Sequence, residues 1–175
     1  FSKTQDDRPE KEITEMYRLK TGSYTFTLPF ALGAYLADVS DDELEILEGI
    51  TSNLGTVFQI KDDELGLFGD PAKTGKPVGS DIEEDKKTLL RAMLYEKISG
   101  DEKERLNKLF GNKVSDENLV YVQSLFKSYG ILDSIQEKVA SLSEEALSHV
   151  QELTISSEYK KLLGELIEYN ATRGR

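Results

Sequence analysis

The sequence predicts an all-α fold of mostly antiparallel helices. Three observations carry that prediction. Apolar residues recur at i, i+3, i+4 spacing through most segments. Capping residues and glycines punctuate those segments where helices begin and end. No segment alternates with the two-residue period of a half-buried strand. The elements follow in order. Residues 1–9, "FSKTQDDRP", read as a loop or frayed end; with no initiator Met, the chain is expected to be cut from something longer. From Glu10 to about Leu36, Ile13, Met16, Tyr17, Leu19 and Tyr24 roughly keep helical spacing, with Pro29 expected to kink or interrupt the helix. Ser40 and Glu43 form a capping box. A long helix follows, with Leu44, Leu47, Ile50, Leu54, Val57, Phe58 and Leu65 on one face.

Gly66 to Gly79 reads as loop, punctuated by Gly69, Pro71, Gly75, Pro77 and Gly79. Helix is expected to resume near Ser80 or Asp81 and to run on through "KKTLLRAMLYEKI". "SGDEKERLNKLFG" gives a turn and another helix, and "SDENLVYVQSLFKSYG" the next, with Ser115 as N-cap and Gly130 as stop. "ILDSIQEKVASLSEEALSHVQEL" and "SSEYKKLLGELIEYNATRGR" supply the last two. No internal repeat or low-complexity tract divides the chain, so residues 1–175 read as a single all-α region.

With 175 residues, 38% hydrophobic and 31% charged, the composition is that of a soluble globular domain with a real core. A formal net charge of -11 argues against nucleic acid or an anionic membrane as the main partner. It leaves a phosphorylated ligand open, because a divalent cation can bridge two acidic partners. The absence of Cys excludes disulfides and thiolate metal sites. No apolar run approaches the roughly 18 residues that span a bilayer.

The stretch "FQIKDDELGLFGDPAKTGKPVGSDIEEDKKTLL", Phe58 to Leu90, holds the residues that could carry chemistry. Gln59, Asp62, Asp63 and Gly66 stand at i, i+3, i+4 and i+7, on one stripe of the long helix. Asp62 lies about 40° around the helix from Phe58, so the acidic stripe borders the apolar face. Adjacent Asp oxygens suit Mg²⁺, which takes one or two carboxylates together with waters and substrate phosphates. On the dipeptide alone, a solvated acidic surface is the ordinary reading in so acidic a chain. Lys73, Lys76, Lys86 and Lys87 then follow among glycines that permit close backbone approach, and lysine binds phosphate as a point charge. "GDPAKTGK" is not a P-loop: Lys76 is followed by Pro77 and the preceding element is helix. Nor does "DDELGL" have the alternating oxygen ligands of an EF-hand. Upstream, "RLKTGSY" sets Lys20 beside Thr21, with Gly22 able to loosen the helix; an ammonium and a hydroxyl make a reasonable diphosphate contact, and a surface Lys beside an ordinary Thr is the plainer reading. The sole histidine, His149, reads as structural or exposed, and the Asp-Asp pair in "DDELE" at Asp41 as charge at a helix start.

Taken together, these segments resemble the C-terminal half of the trans-isoprenyl diphosphate synthases. "FQIKDDELGLFGDPAKTGKPVGSDIEEDKKTLL" resembles their second aspartate-rich region, "LKTGSYTFTLP" their Lys-Thr motif, and "ELIEYNATRGR" their basic C-terminal end. The resemblance implies the second half of an isoprenoid-synthase bundle and Mg²⁺-assisted condensation of isopentenyl diphosphate with an allylic diphosphate. By position, it implies that Asp62 and Asp63 serve a Mg²⁺ on the allylic diphosphate, Asp62 most directly. Gln59 would hydrogen-bond beside them, Lys20, Lys76 and Lys86 would hold diphosphate oxygens, and Thr21 would lie near the developing carbocation. It further implies a cytoplasmic homodimer without stable membrane insertion. Two departures stand out. The third aspartate of the motif is Gly66 here, and the first aspartate-rich motif and the residues that bind isopentenyl diphosphate are absent from these 175 residues. The chain alone is therefore expected to be inactive. The alternative is a non-catalytic helical subunit or metal-binding module partnering a prenyl synthase.

Overall fold

The computed structural model describes residues 8–75 and 77–173. Among them every regular element is helical. The first helical stretch keeps to Glu10–Leu36 but changes pitch twice: α1 (Glu10–Tyr17) passes into a π-helix (Arg18–Thr27) and then into α2 (Leu28–Leu36). The Leu28 N–H reaches back to the Ser23 carbonyl, the wider π register. Pro29 follows immediately, at the start of α2, where its missing N–H costs least. The proline is thus accommodated by a change of pitch upstream of it rather than by a break. Gly22 lies in the middle of the π segment.

α3 spans Asp41–Phe68. Half of the predicted capping box forms: the Glu43 N–H donates to Ser40 Oγ at 3.3 Å. The Glu43 carboxylate instead receives the Thr154 N–H at 2.8 Å and the Thr154 hydroxyl. Those bonds hold its pKa below the ordinary value. The helix runs past Leu65, and its buried face is completed by Ile60 and Leu67 rather than by Leu65, which is half-buried.

The predicted loop after α3 contains one helical turn, α4 (Pro71–Thr74), capped by the Asp70 carboxylate on the Ala72 N–H at 2.9 Å. The continuous helix expected from Ser80 onward is broken. α5 (Ser80–Glu83) ends, Asp85 takes a left-handed φ of 54°, and α6 (Leu89–Lys97) starts afresh. Thr88 caps the new start by accepting the Arg91 N–H. α7 (Gly100–Leu109), α8 (Asp116–Ser128), α9 (Ile131–Glu152) and α10 (Ser157–Thr172) complete the set. Ser115 accepts the Asn118 N–H at the start of α8, and Gly130, at φ 65°, ends its last turn, as predicted.

The helices gather into two compact units, each with its own interior. One holds the described residues of Phe1–Ile13 and Asp62–Ile135, the other those of Thr14–Lys61 and Gln136–Arg175. In the first, α6 lies against α8, and α8 also grips the end of α3. There Gln123 donates to the Leu67 carbonyl at 2.6 Å, and Phe68 meets Phe126 edge to face at 6.2 Å. In the second, Ile50 and Leu54 of α3 pack with Ala146 and Val150 of α9, Leu153, and Leu163 and Ile167 of α10. His149, half-buried, lies beside α3, its imidazole close enough to touch a Cβ placed on Gly49.

Candidate functional site

The residues singled out from sequence fall into two groups, one in each unit, and α3 contributes to both. In the unit that holds Thr14–Lys61, the π-helix presents Lys20 to solvent and buries Thr21. The Thr21 hydroxyl donates to Gln59 Oε1 on α3 at 2.9 Å, across 38 positions of sequence. A second hydroxyl contact lies further along the same pair of elements, where Thr27 and Thr51 sit 2.9 Å apart. The end of the chain comes to the same region of α3. Asn170 donates to the Leu54 carbonyl at 3.0 Å, and Arg173 donates to the Phe58 carbonyl at 2.8 Å. The Arg173 guanidinium also lies over the Phe58 ring, 3.7 Å from its centroid, and Phe26 meets that ring edge to face. In sequence, Arg173 shows only as part of a basic end. The aromatic that Arg173 covers is 115 positions away, beyond any local signal.

In the other unit the two aspartates differ sharply. Asp62 is exposed, whereas Asp63 is only 4% exposed. Among the described residues, no group of three or more His, Cys, Asp or Glu side chains clusters as a metal cage. Two neighbouring carboxylates nevertheless fit the donor set of Mg²⁺, which completes its shell with waters and ligand phosphates. One turn further along α3, the third position of the motif is filled from elsewhere. A Cβ on Gly66 would lie 2.6 Å from Asp81 Oδ2. The loop docks on the same residue, the Gly79 N–H donating to the Gly66 carbonyl at 2.9 Å. Asp81 is 6% exposed and forms an ion pair with Lys86. Burial opposes the Lys86 charge, but the hydrogen bond and charge of Asp81, with help from Glu84 at 3.4 Å, raise its pKa above the ordinary lysine value. Asp81 lies within the Phe58–Leu90 stretch, but no local pattern shows that it turns back onto the helix.

The left-handed turn at Asp85 brings further charges into order. Its carboxylate takes Lys87 at 2.9 Å and Arg91 at 2.6 Å. Burial opposes the Asp85 charge, yet these two cations outweigh it and hold the carboxyl below its usual range. Arg91, largely buried, also stacks on Phe110 at 3.8 Å. Lys86 is thus held by Asp81 and Lys87 by Asp85, so the adjacent lysines have separate partners. Lys76, expected to hold diphosphate, lies outside the described residues, as does the side chain of Lys73.

Comparisons with known proteins agree with this architecture. Residues 1–127 match the family model described as polyprenyl synthetase. A geranylgeranyl diphosphate synthase of Sulfolobus acidocaldarius is 34% identical over 169 residues, covering 95% of this chain and 51% of that protein. A short chain isoprenyl diphosphate synthase of Methanocaldococcus jannaschii is 42% identical over 110 residues, 62% of this chain and 33% of that one. Among solved structures, a geranylgeranyl pyrophosphate synthase from Corynebacterium glutamicum, complexed with isoprenyl diphosphate and magnesium, superposes with a TM-score of 0.89 at 30% identity. That superposition covers 96% of this chain and 48% of the other. The chain therefore spans about a third to a half of the length of these relatives. The all-α fold, the helical placement of both motifs and the family match all lead to one assignment: the chain belongs to the polyprenyl synthetase family.

Proposed function

We propose that this chain supplies the second aspartate-rich half of a prenyltransferase site, in which isopentenyl diphosphate condenses with an allylic diphosphate. The observation that carries the reading is α3. It runs unbroken through Gln59, Asp62 and Asp63, so a hydrogen-bonding amide and two carboxylates sit on one stripe of a single helix. When bound, Mg²⁺ would neutralise the diphosphate and favour its departure. Asp62 and Asp63 would hold it, and what supports the more direct role for Asp62 is its exposure. Lys20 and Lys86 would hold diphosphate oxygens as fixed positive charges, and Lys76 is proposed for the same task. Lys86 remains protonated there, because Asp81 keeps its pKa high. Thr21 and Gln59, joined by their hydrogen bond, would orient the allylic carbon chain as positive charge develops on it. Homodimerisation and a cytoplasmic location belong to this proposal as well. What bears on location is only that, among the described residues, no helix is long and apolar enough to cross a membrane.

The test is Mg²⁺-dependent binding of an allylic diphosphate or a bisphosphonate, measured by calorimetry on the complete gene product. The reading expects binding that needs Mg²⁺ and that Asp62→Ala removes. Binding indifferent to Mg²⁺ and to that substitution would favour a non-catalytic helical module.

A further inference from the structure

The π-helix and α3 touch backbone to backbone at one point. A Cβ placed on Gly55 would lie 2.2 Å from Gly22 Cα, 2.6 Å from Gly22 N and 3.2 Å from the Thr21 carbonyl carbon. These are main-chain atoms, so they cannot swing aside as a side chain would. Ordinary carbon–carbon contact is about 3.5–4.0 Å, so any residue larger than glycine at position 55 forces the two elements apart by roughly 1.5 Å. The requirement is one-sided. A Cβ on Gly22 would meet Ser52 at 3.7 Å, an ordinary contact. Gly55, not Gly22, sets how closely the π-helix can approach.

Beside the Phe26–Phe58 ring contact, two side-chain hydrogen bonds join these elements, one helical turn to either side of Gly55. Thr51, four residues before it, meets Thr27, and Gln59, four residues after it, accepts from Thr21. Thr51, Gly55 and Gln59 thus form a single stripe of α3 at i, i+4, i+8. Thr51 is fully buried and Thr21 nearly so, which leaves water little access to replace either bond. A separation of the size forced by a Cβ at position 55 takes Thr21 Oγ1 beyond hydrogen-bond range of Gln59.

We propose that Gly55 is a positioning residue of the prenyl-transfer site: it admits the π-helix to the depth at which Thr21 rests on Gln59, and Thr51 fastens it there. The catalytic consequence rests on the function proposed above; the geometric claim does not. The alternative is that Gly55 merely relieves crowding, in which case its replacement lowers stability and leaves the Thr21–Gln59 relation intact.

Two measurements on the complete gene product separate these. The first is a crystal structure of Gly55→Ala. The proposal expects the contact of Thr21 with Gln59 to open past 3.5 Å, the limit of a hydrogen bond. A contact retained at 2.9 Å overturns it, whatever the activity. The second is a kinetic cycle with Gly55→Ala, Thr21→Val and the double variant. Gly55→Ala is expected to lower kcat up to about 100-fold, with KM for the allylic diphosphate changed much less. The double variant should turn over no more slowly than Thr21→Val, because both remove the same contact. Multiplying effects, or a wild-type kcat in Gly55→Ala, overturn the proposal. Gly33→Ala, at a helical glycine with open space around it, is the control and keeps wild-type turnover. If Gly55→Ala does not fold, Thr51→Val loosens the same fastening without adding an atom. Its loss of kcat should disappear in the Thr21→Val background, and a loss that persists there overturns the proposal. Absence of any prenyl transfer in the wild-type protein would sink the functional reading, while the crystal distance would still decide the role of Gly55.

Discussion

Asp81 Oδ2 lies where a side chain on Gly66 would begin, 2.6 Å from the position of its Cβ. The glycine that departs from the aspartate-rich pattern is therefore the seat of another carboxylate. Because Asp81 also pairs with Lys86, the identity of residue 66 reaches the lysine through one ion pair whose carboxylate is buried. Gly66→Ala should displace the Asp81 carboxylate. The helix gains about 1 kcal/mol in propensity from the change, but overpacking costs about 1–3 kcal/mol, so a net loss of stability is expected. Urea denaturation of the variant, read as a lowered midpoint at unchanged slope, checks it.

Lys86→Ala should weaken bisphosphonate binding by about 10- to 100-fold, the loss of a charge-assisted contact. Asp81→Asn should weaken it less, since the ammonium remains but loses the anion that holds it. Titration calorimetry at fixed Mg²⁺ measures both, and equal losses would show that Asp81 matters as much as the lysine it holds.

Asp85 gives a pH dependence with a definite sign. Burial disfavours its charge, but Lys87 and Arg91 hold its pKa below the ordinary 3.8. Its contribution to stability is then complete above that value and is lost as pH falls through the depressed pKa. Asp85→Asn keeps a residue that tolerates the left-handed backbone and removes the charge. The variant should lose stability at neutral pH and show a shallower acid limb in denaturation midpoints below about pH 4. An acid limb identical to the wild type would count against the role of this carboxylate.

Arg173→Ala should free the end of the chain from α3. It loses one hydrogen bond to the Phe58 carbonyl and the stacking on the Phe58 ring. Those contacts are worth about 1–3 kcal/mol together. Amide exchange at positions 172 and 173 should quicken, whereas α6 and α8 should be unchanged.

Phe126→Ala tests the interior of the other unit. The ring is fully buried and meets Phe68 edge to face. A loss of about 3–5 kcal/mol is expected, enough to abolish cooperative unfolding in a marginal domain.

The predicted helices were legible wherever their signals were local. Ser115 and Gly130 bound α8 as read, because a cap depends on residues within one turn. Helix starts at Ser80 as expected but breaks between Glu83 and Leu89, where helical composition continues and Asp85 turns left-handed to meet Lys87 and Arg91. Along the apolar face of α3, Leu44, Leu47, Phe58 and Leu65 are half-buried, while Ile60 and Leu67 are fully covered. A helical stripe drawn from spacing has a width, and only the neighbours packed against it decide which edge is covered.

The sequence by itself determined the all-α class, the long helix carrying Gln59, Asp62 and Asp63, and the resemblance that names the family. These rest on periodicity, capping chemistry and a contiguous motif, all encoded within a few turns of chain. Tertiary structure alone decided that Asp63 is buried while Asp62 is open, that Asp81 sits on Gly66, and that Gly55 lets a π-helix touch α3. The last two relations join residues 15 and 33 positions apart, Gly66 with Asp81 and Gly22 with Gly55. Their cause is steric exclusion and charge pairing between elements, which no local pattern records.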